Sequence, residues 1–322
     1  MLKKISLLLI LLNCLSNNFA MSPQKLRIIL DQLPNPAHAP LIVAQQEGFF
    51  KEQGLDVELI SAEHTDPGKW IATGKADIGV TYEPRFIQQV DQGLPLVRIG
   101  TLIDKPLNCV VALKGSGIHT IADLKNKRIG SSKGSGLSHM MLETMLAKGD
   151  VSVKEVELVT VGHHLSQALL AGKVDAITGM KRNLDVPQLE AMGHEVVTLF
   201  PEELGIPNYD QLILVINKTK TKDARFPRFL AALEKSVAFL DAHPKEAWDK
   251  FAKRYPEANN KANYETWFAT IPYFAEDPAS FRRKEWEKFA QFMYQNDLIN
   301  NVQPISHYSV TLPRANLFTP AA

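Results

Sequence analysis

The chain is 322 residues long, 45% hydrophobic and 22% charged, with 36 basic against 35 acidic residues. These proportions exclude a disordered, collagen-like or polytopic membrane chain and suffice for roughly two domains of about 150 residues each. The balance of charge provides no global field to hold a polyanion, so nucleic acid is not expected as a partner.

Residues 1–20 follow the order of a secretory signal: Lys3 and Lys4, the apolar run from Ile5 to Leu12, then Ser16-Asn17-Asn18-Phe19-Ala20. Cleavage is expected after Ala20, because the apolar run is far shorter than the roughly 20 residues that cross a bilayer. Removing Lys3 and Lys4 leaves 34 basic against 35 acidic groups. Cys14 lies inside this segment, and Leu11-Leu12-Asn13 before it lacks the small residues that normally precede a lipidated cysteine. Cys109 is then without a partner for an internal disulfide, and its setting in Asn108 to Leu113 predicts a buried strand.

Past the signal, short β-rich runs alternate with helical ones. Leu26 to Leu30 predicts a strand, Pro34-Asn35-Pro36 a turn, Ala39 to Lys51 a helix ending near Gly54, and Val57 to Ser61 a second strand. Lys69 to Ala72 reads as helix, Ile78 to Val80 as strand, Glu83 to Gln92 as helix and Leu96 to Ile103 as strand, so a mainly parallel, helix-covered sheet is expected. Cys109 to Lys114 and Leu212 to Lys218 are β-rich runs that look like crossings between two lobes. The stretch between them has its own strands at Arg128-Ile129, Glu155 to Val159, Ala176-Ile177 and Glu195 to Thr198, and helices at Leu137 to Ala147, Leu165 to Ala171 and Pro187 to Ala191. Helical patterns follow at Arg225 to His243, Lys245 to Arg254 and Arg283 to Asn296. The expected organisation is α/β and two-lobed, with lobe 1 formed by 21–112 and 213–322 and lobe 2 by 113–212. A cleft between such lobes can close around a small molecule.

Asn35, His38, Tyr82 and Glu83 each follow a predicted strand, where open α/β sheets place their ligand crevice; each also suits a turn cap or a satisfied core group. Ser131 and Ser132 lie on a Gly-Ser turn between strand and helix, where free N–H groups can meet an anionic or strongly accepting ligand group, or simply form an N-cap. Gly130-Ser131-Ser132-Lys133-Gly134 also fits the G-x-S-x-G nucleophile elbow, with Asp175 and His194 in the usual chain order. Gly134-Ser135-Gly136, however, lengthens the turn beyond what an elbow needs. The turn lacks the Gly-Lys-Ser/Thr ending of a nucleotide loop, and no metal-ligand spacing occurs, His163-His164 being adjacent. No metal or cofactor is expected.

Leu30-Asp31-Gln32-Leu33-Pro34-Asn35-Pro36-Ala37-His38, then Glu47-Gly48-Phe49-Phe50, Gly74-Lys75-Ala76-Asp77, Leu170-Ala171-Gly172-Lys173-Val174-Asp175 and Gly205-Ile206-Pro207-Asn208-Tyr209 resemble, in order, the landmarks of binding proteins for thiamine-pyrimidine precursors, the NMT1-like family. The resemblance covers most of residues 26–270. It implies the type II periplasmic-binding-protein fold, with two mainly parallel sheets joined by two crossing strands. The implied protein is a non-enzymatic, monomeric periplasmic component of an ABC importer that passes an aminopyrimidine to a membrane permease. The resemblance places Gln32, Asn35, His38, Tyr82, Glu83, Ser131, Ser132, Asp185 and Tyr209 around the cleft. Asp185 or Glu83 would accept from the exocyclic amine, Asn35 would pair with a ring nitrogen, and Tyr82 or Tyr209 would stack on the ring. Gln32 stands where the family usually has an aromatic residue, and Met180-Lys181-Arg182-Asn183-Leu184 replaces an aromatic-rich stretch. Lys181 and Arg182 would suit a more acidic ligand or be solvated charges. Fungal relatives make the thiamine pyrimidine from pyridoxal phosphate and a histidine of their own; their lysine and histidine fall at Thr81 and Arg85 here, and their cysteine cluster is absent. A synthase of that kind, or a binding protein for another heteroaromatic or anionic solute, is the alternative.

Overall fold

The computed structural model describes residues 22–314 except 63–64 and 133–135. The expected signal segment with Cys14, and Lys133-Gly134-Ser135 of the serine turn, lie outside these residues.

The chain opens with β1 (Gln24–Ile29), α1 (Ala39–Gln46), α2 (Phe49–Glu52), β2 (Leu55–Ile60), α3 (Pro67–Ala72), β3 (Ile78–Thr81), α4 (Glu83–Asp91) and β4 (Leu96–Ile103). The single helix expected from Ala39 to Lys51 is two, because Gly48 adopts φ +79°, a left-handed conformation that ends α1 and redirects the chain. The second series runs β5 (Asn108–Leu113), β6 (Arg128–Ser131), α5 (Gly136–Ala147), β7 (Glu157–Thr160), α6 (Leu165–Leu170), β8 (Ala176–Lys181), α7 (Asp185–Ala191) and β9 (Val196–Leu199). It is followed by β10 (Leu212–Asn217), α8 (Arg225–Ala242), α9 (Pro244–Arg254), α10 (Lys261–Thr270) and α11 (Arg283–Gln295).

Among the described residues, ten strands form two five-stranded sheets, ordered β2-β1-β3-β10-β4 and β7-β6-β8-β5-β9. β1 runs parallel to β2 and β3, while β10 is antiparallel to both its neighbours; β6 is parallel to β7 and β8, with β5 antiparallel to β8 and β9. This is a two-lobed α/β fold with the same strand order in each lobe. The runs expected to be crossings are sheet strands: β5 lies wholly in the second sheet and β10 wholly in the first. The chain passes between sheets at 104–107 and again at 200–211, where proline and polar residues replace the β-branched runs.

One lobe's core packs α1, α2 and α8 on the first sheet, with Phe50 stacked on Phe229 at 5.4 Å between centroids. Such a stacked pair contributes about 0.5–1.5 kcal/mol beyond its burial. β4 is an edge strand with every residue buried, because later chain covers its free side: Thr101 N–H donates to Pro278 O (2.8 Å) and Val310 N–H to Arg98 O (3.1 Å).

The Gly-Lys-x-Asp element occurs once in each lobe and acts alike in both. Asp77 Oδ2 accepts from Arg27 N–H and Asp175 Oδ2 from Arg128 N–H, each at 2.8 Å. The two aspartate N–H groups return bonds to Arg27 O (2.9 Å) and Arg128 O (2.8 Å). The motif therefore hooks the start of β3 onto β1 and the start of β8 onto β6, fixing the parallel register.

Candidate functional site

The carboxyl ends of β1, β3, β6 and β8 deliver the residues at which the lobes face one another, as expected for parallel sheets. Just after β1, Asp31 accepts from His38 Nε2 at 2.7 Å and from the Tyr82 hydroxyl in a very short hydrogen bond, and Gln32 Nε2 adds a third donor at 3.2 Å. His38 is fully buried and the Asp31 side chain nearly so, whereas Gln32 is exposed and Tyr82 half-buried. Burial alone would push the Asp31 carboxyl up, but the hydrogen bonds from His38 and Tyr82 and the charge of Lys181 outweigh it and hold it below the usual carboxylate range. Asn35 organises the turn: its Oδ1 accepts from Ala37 N–H (2.9 Å), its Nδ2 donates to Leu33 O (2.9 Å), and its N–H points at His38 Nδ1 (3.3 Å). Asn35, His38 and Tyr82 thus share one wall, and Asp31, which belongs to the opening motif but carried no expected role, is the group that joins them.

In the second lobe the expected site residues lie on β6, β8 and the start of α7. Ser131 ends β6 half-buried and Ser132 is exposed. Together with Asn108, Thr178 and Tyr209 they border a small cavity of about 60 Å³. Asp185 opens α7 and accepts from Lys181 N–H at 2.6 Å; burial holds its carboxyl above the ordinary range against that bond and the Lys181 charge. Lys181 is the cation whose field reaches both Asp31 and Asp185, from opposite lobes. Arg182 is already committed: Glu202 takes its guanidinium with two bonds of 2.7 and 2.8 Å, and the Phe200 ring lies 4.0 Å from it. The expectation that Arg182 meets a ligand is corrected accordingly. Next to it, Asn183 Nδ2 donates to Thr270 Oγ1 of α10 at 2.8 Å, a buried bond between the lobes.

Glu83 belongs elsewhere, and Tyr209 is engaged within the protein. Glu83 is fully buried beneath the second crossing, where its Oε2 accepts from Asp210 N–H at 2.6 Å and its N–H donates to Asp210 O at 3.3 Å. Asp210 in turn accepts from Thr101 Oγ1 (2.7 Å), Arg282 Nη2 (2.5 Å) and Trp286 Nε1 (3.0 Å). Burial, then the Asp210 charge, push the Glu83 carboxyl well above its ordinary value, and its place beneath the crossing puts it out of reach of a ligand amine. A strand-end position suggested the crevice, and nothing local revealed that the crossing would lie across it. Tyr209 is buried with its ring on Phe289, 4.9 Å between centroids, which occupies a face that ligand stacking would need. Its hydroxyl is pushed up by burial against a bond with Asn108.

The hydrolase arrangement does not assemble, since Arg128 takes both Asp175 oxygens through N–H, Nε and Nη2 at 2.8 to 3.2 Å. Cys109 is a core thiol: burial pushes it up to about 12 and its Sγ donates to Met180 O at 3.3 Å. Among the described residues, no group of His, Cys, Asp and Glu could hold a metal.

Two similar sheets meeting over a polar wall define a solute-binding-protein fold. The periplasmic aliphatic sulphonate binding protein SsuA from Escherichia coli superposes with a TM-score of 0.71 at 17% identity, over 92% of this chain and 94% of its own. The chain belongs to the NMT1/THI5-like family, whose pattern matches residues 35–247. It is 44% identical to a Haemophilus influenzae protein provisionally named for thiamine biosynthesis, over 90% of this chain and 92% of that one. It is 30% identical to the formylaminopyrimidine-binding protein of Halalkalibacterium halodurans, over 80% of each. A 4-amino-5-hydroxymethyl-2-methylpyrimidine phosphate synthase of Saccharomyces cerevisiae is 26% identical over 83% of this chain and 82% of that one.

Proposed function

We propose that this protein is the exported solute-binding component of an ABC importer and captures an aminopyrimidine precursor of thiamine between its lobes. In this reading residues 1–20 direct export to the periplasm. Lobe 1 comprises residues 22–103 and 212–314 and lobe 2 residues 108–199, the expected boundaries at 112 and 213 giving way to the crossings at 104–107 and 200–211. The partner is a membrane permease that docks the closed monomer. The observations that support the reading are the buried contact of Asn183 with Thr270 between the lobes and the polar cluster of Asp31, His38 and Tyr82 at the end of β1. Ligand drives closure by binding the closed state more tightly than the open one. Asn35, His38 and Tyr82 contribute from one lobe, and Ser131, Ser132 and Asp185 from the other.

A synthase would need a lysine and a histidine at positions 81 and 85. Thr81 is buried, and Arg85 is paired to Asp66 at 2.5 Å, which favours binding over pyrimidine synthesis. Thermal unfolding with 4-amino-5-hydroxymethyl-2-methylpyrimidine and with its formylaminomethyl counterpart tests the proposal. At 100 times the dissociation constant, a ligand of the folded state stabilises it by about 2.7 kcal/mol. Absence of a shift with both compounds refutes the ligand class, and pyridoxal phosphate absorbance that survives dialysis refutes the non-enzymatic reading.

A further inference from the structure

The hydrogens of the Asp31 cluster can be assigned from its partners alone. Asn35 N–H points at His38 Nδ1 (3.3 Å), so that nitrogen is bare and the ring proton sits on Nε2, which donates to Asp31 Oδ1 at 2.7 Å. A phenol has one proton, and Tyr82 gives its proton to Asp31 Oδ2. Asp31 is surrounded by donors, His38 Nε2, the Tyr82 hydroxyl and Gln32 Nε2, so it remains a carboxylate that only accepts. The half-buried Tyr82 oxygen is left with lone pairs and no proton to offer the cleft.

We propose that Asp31 is a positioning residue that sets the hydrogen-bonding sense of the site: by taking the Tyr82 proton it makes the phenol oxygen an obligate acceptor, which selects an amino substituent on the ligand over an oxo group in the same place. An amino group donates to that oxygen. An oxo group would set two acceptors against each other with nothing between them, and a buried polar group left unpaired is what makes such discrimination strong. This inference rests on the aminopyrimidine reading and names the ligand feature that the first lobe recognises.

The test is calorimetric titration of the full mature chain with 4-amino-5-hydroxymethyl-2-methylpyrimidine and its 4-oxo analogue. The wild type is expected to prefer the amino compound by about tenfold or more. In Asp31→Asn the amide oxygen must accept from His38, so the amide NH2 faces Tyr82 and donates to it. The phenol proton then turns toward the ligand, and the amino preference is expected to fall about tenfold or to reverse. Tyr82→Phe removes the acceptor, leaves the Asp31–His38 bond in place and is expected to abolish the preference, so it carries the test if Asp31→Asn does not fold. Both variants keeping the wild-type ratio would overturn the proposal. If the wild type binds neither compound, the aminopyrimidine reading falls and the selectivity of Tyr82 with it. The hydrogen assignment is judged separately by 15N NMR of the His38 ring, where a protonated Nε2 and bare Nδ1 are expected and the opposite tautomer or an imidazolium at neutral pH overturns it.

Discussion

Replacing Glu83 by glutamine tests the buried hinge directly. The Glu83 carboxyl is fully buried, one of its oxygens accepts from Asp210 N–H, and the other, Oε1, has no partner. Burial and the neighbouring Asp210 charge keep it protonated well above its ordinary 4.5. Unfolding at a pH between that value and the folded-state pKa releases the proton to water, so the folded chain holds one proton more than the unfolded chain. Stability contributed by this group is therefore complete below the unfolded pKa and declines as pH rises toward the folded pKa, at about 1.36 kcal/mol per pH unit for one proton. Glutamine keeps the acceptor for Asp210 N–H and cannot ionise. Its NH2 group takes the place of the unpartnered Oε1, which adds a pH-independent cost of about 1–3 kcal/mol. Urea unfolding of both proteins in half-unit steps from pH 5 to 8 should give a difference that moves in favour of Glu83→Gln by up to about 1.4 kcal/mol per unit. Parallel curves for the two proteins would mean that Glu83 is ionised in the fold, and the hinge argument would be wrong.

Two further substitutions probe packing and closure. Gly130→Ala places a Cβ 2.6 Å from Ile177 Cδ1 and 3.2 Å from Val174, so overpacking between β6 and β8 should cost about 1–3 kcal/mol in a denaturant melt; an unchanged midpoint would rule out a packing role for this first glycine of the G-x-S-x-G run. Thr270→Val keeps shape but removes the acceptor for Asn183 Nδ2, leaving a buried amide unpaired at a cost of about 1–3 kcal/mol in the closed form. Small-angle scattering without ligand should report a larger radius of gyration for Thr270→Val, and an identical curve would show that this bond does not bias closure.

The strands were legible because short β-branched runs between glycines and prolines leave few other structures for them to adopt. α10 was not, since Lys261 to Thr270 buries Thr266, Trp267 and Thr270 without an apolar stripe that a helical period could reveal. The site was legible in part. Residues that follow β1 and β3 meet because those strands are neighbours, and the order of elements predicts that adjacency. Asp31 escaped notice because its role depends on two partners, one 7 and one 51 positions away, that only the folded turn brings to it. Glu83 was misjudged for a related reason: the second crossing packs Asp210 onto it, and crossings leave no periodic trace in a sequence.

The placement of β10 constrains the order in which a growing chain can fold. Among the described residues, β4 has no strand neighbour except β10, and β10 joins it to β3, so the first sheet stays divided until residue 217 has been made. The second sheet needs only residues 108–199, a continuous stretch. The later-translated lobe can thus be complete while the earlier one still waits for β10, and the long-range pairing that finishes the molecule comes last. The half holding Asp31 and Tyr82 therefore gains its fixed geometry only after the other half of the chain has been made.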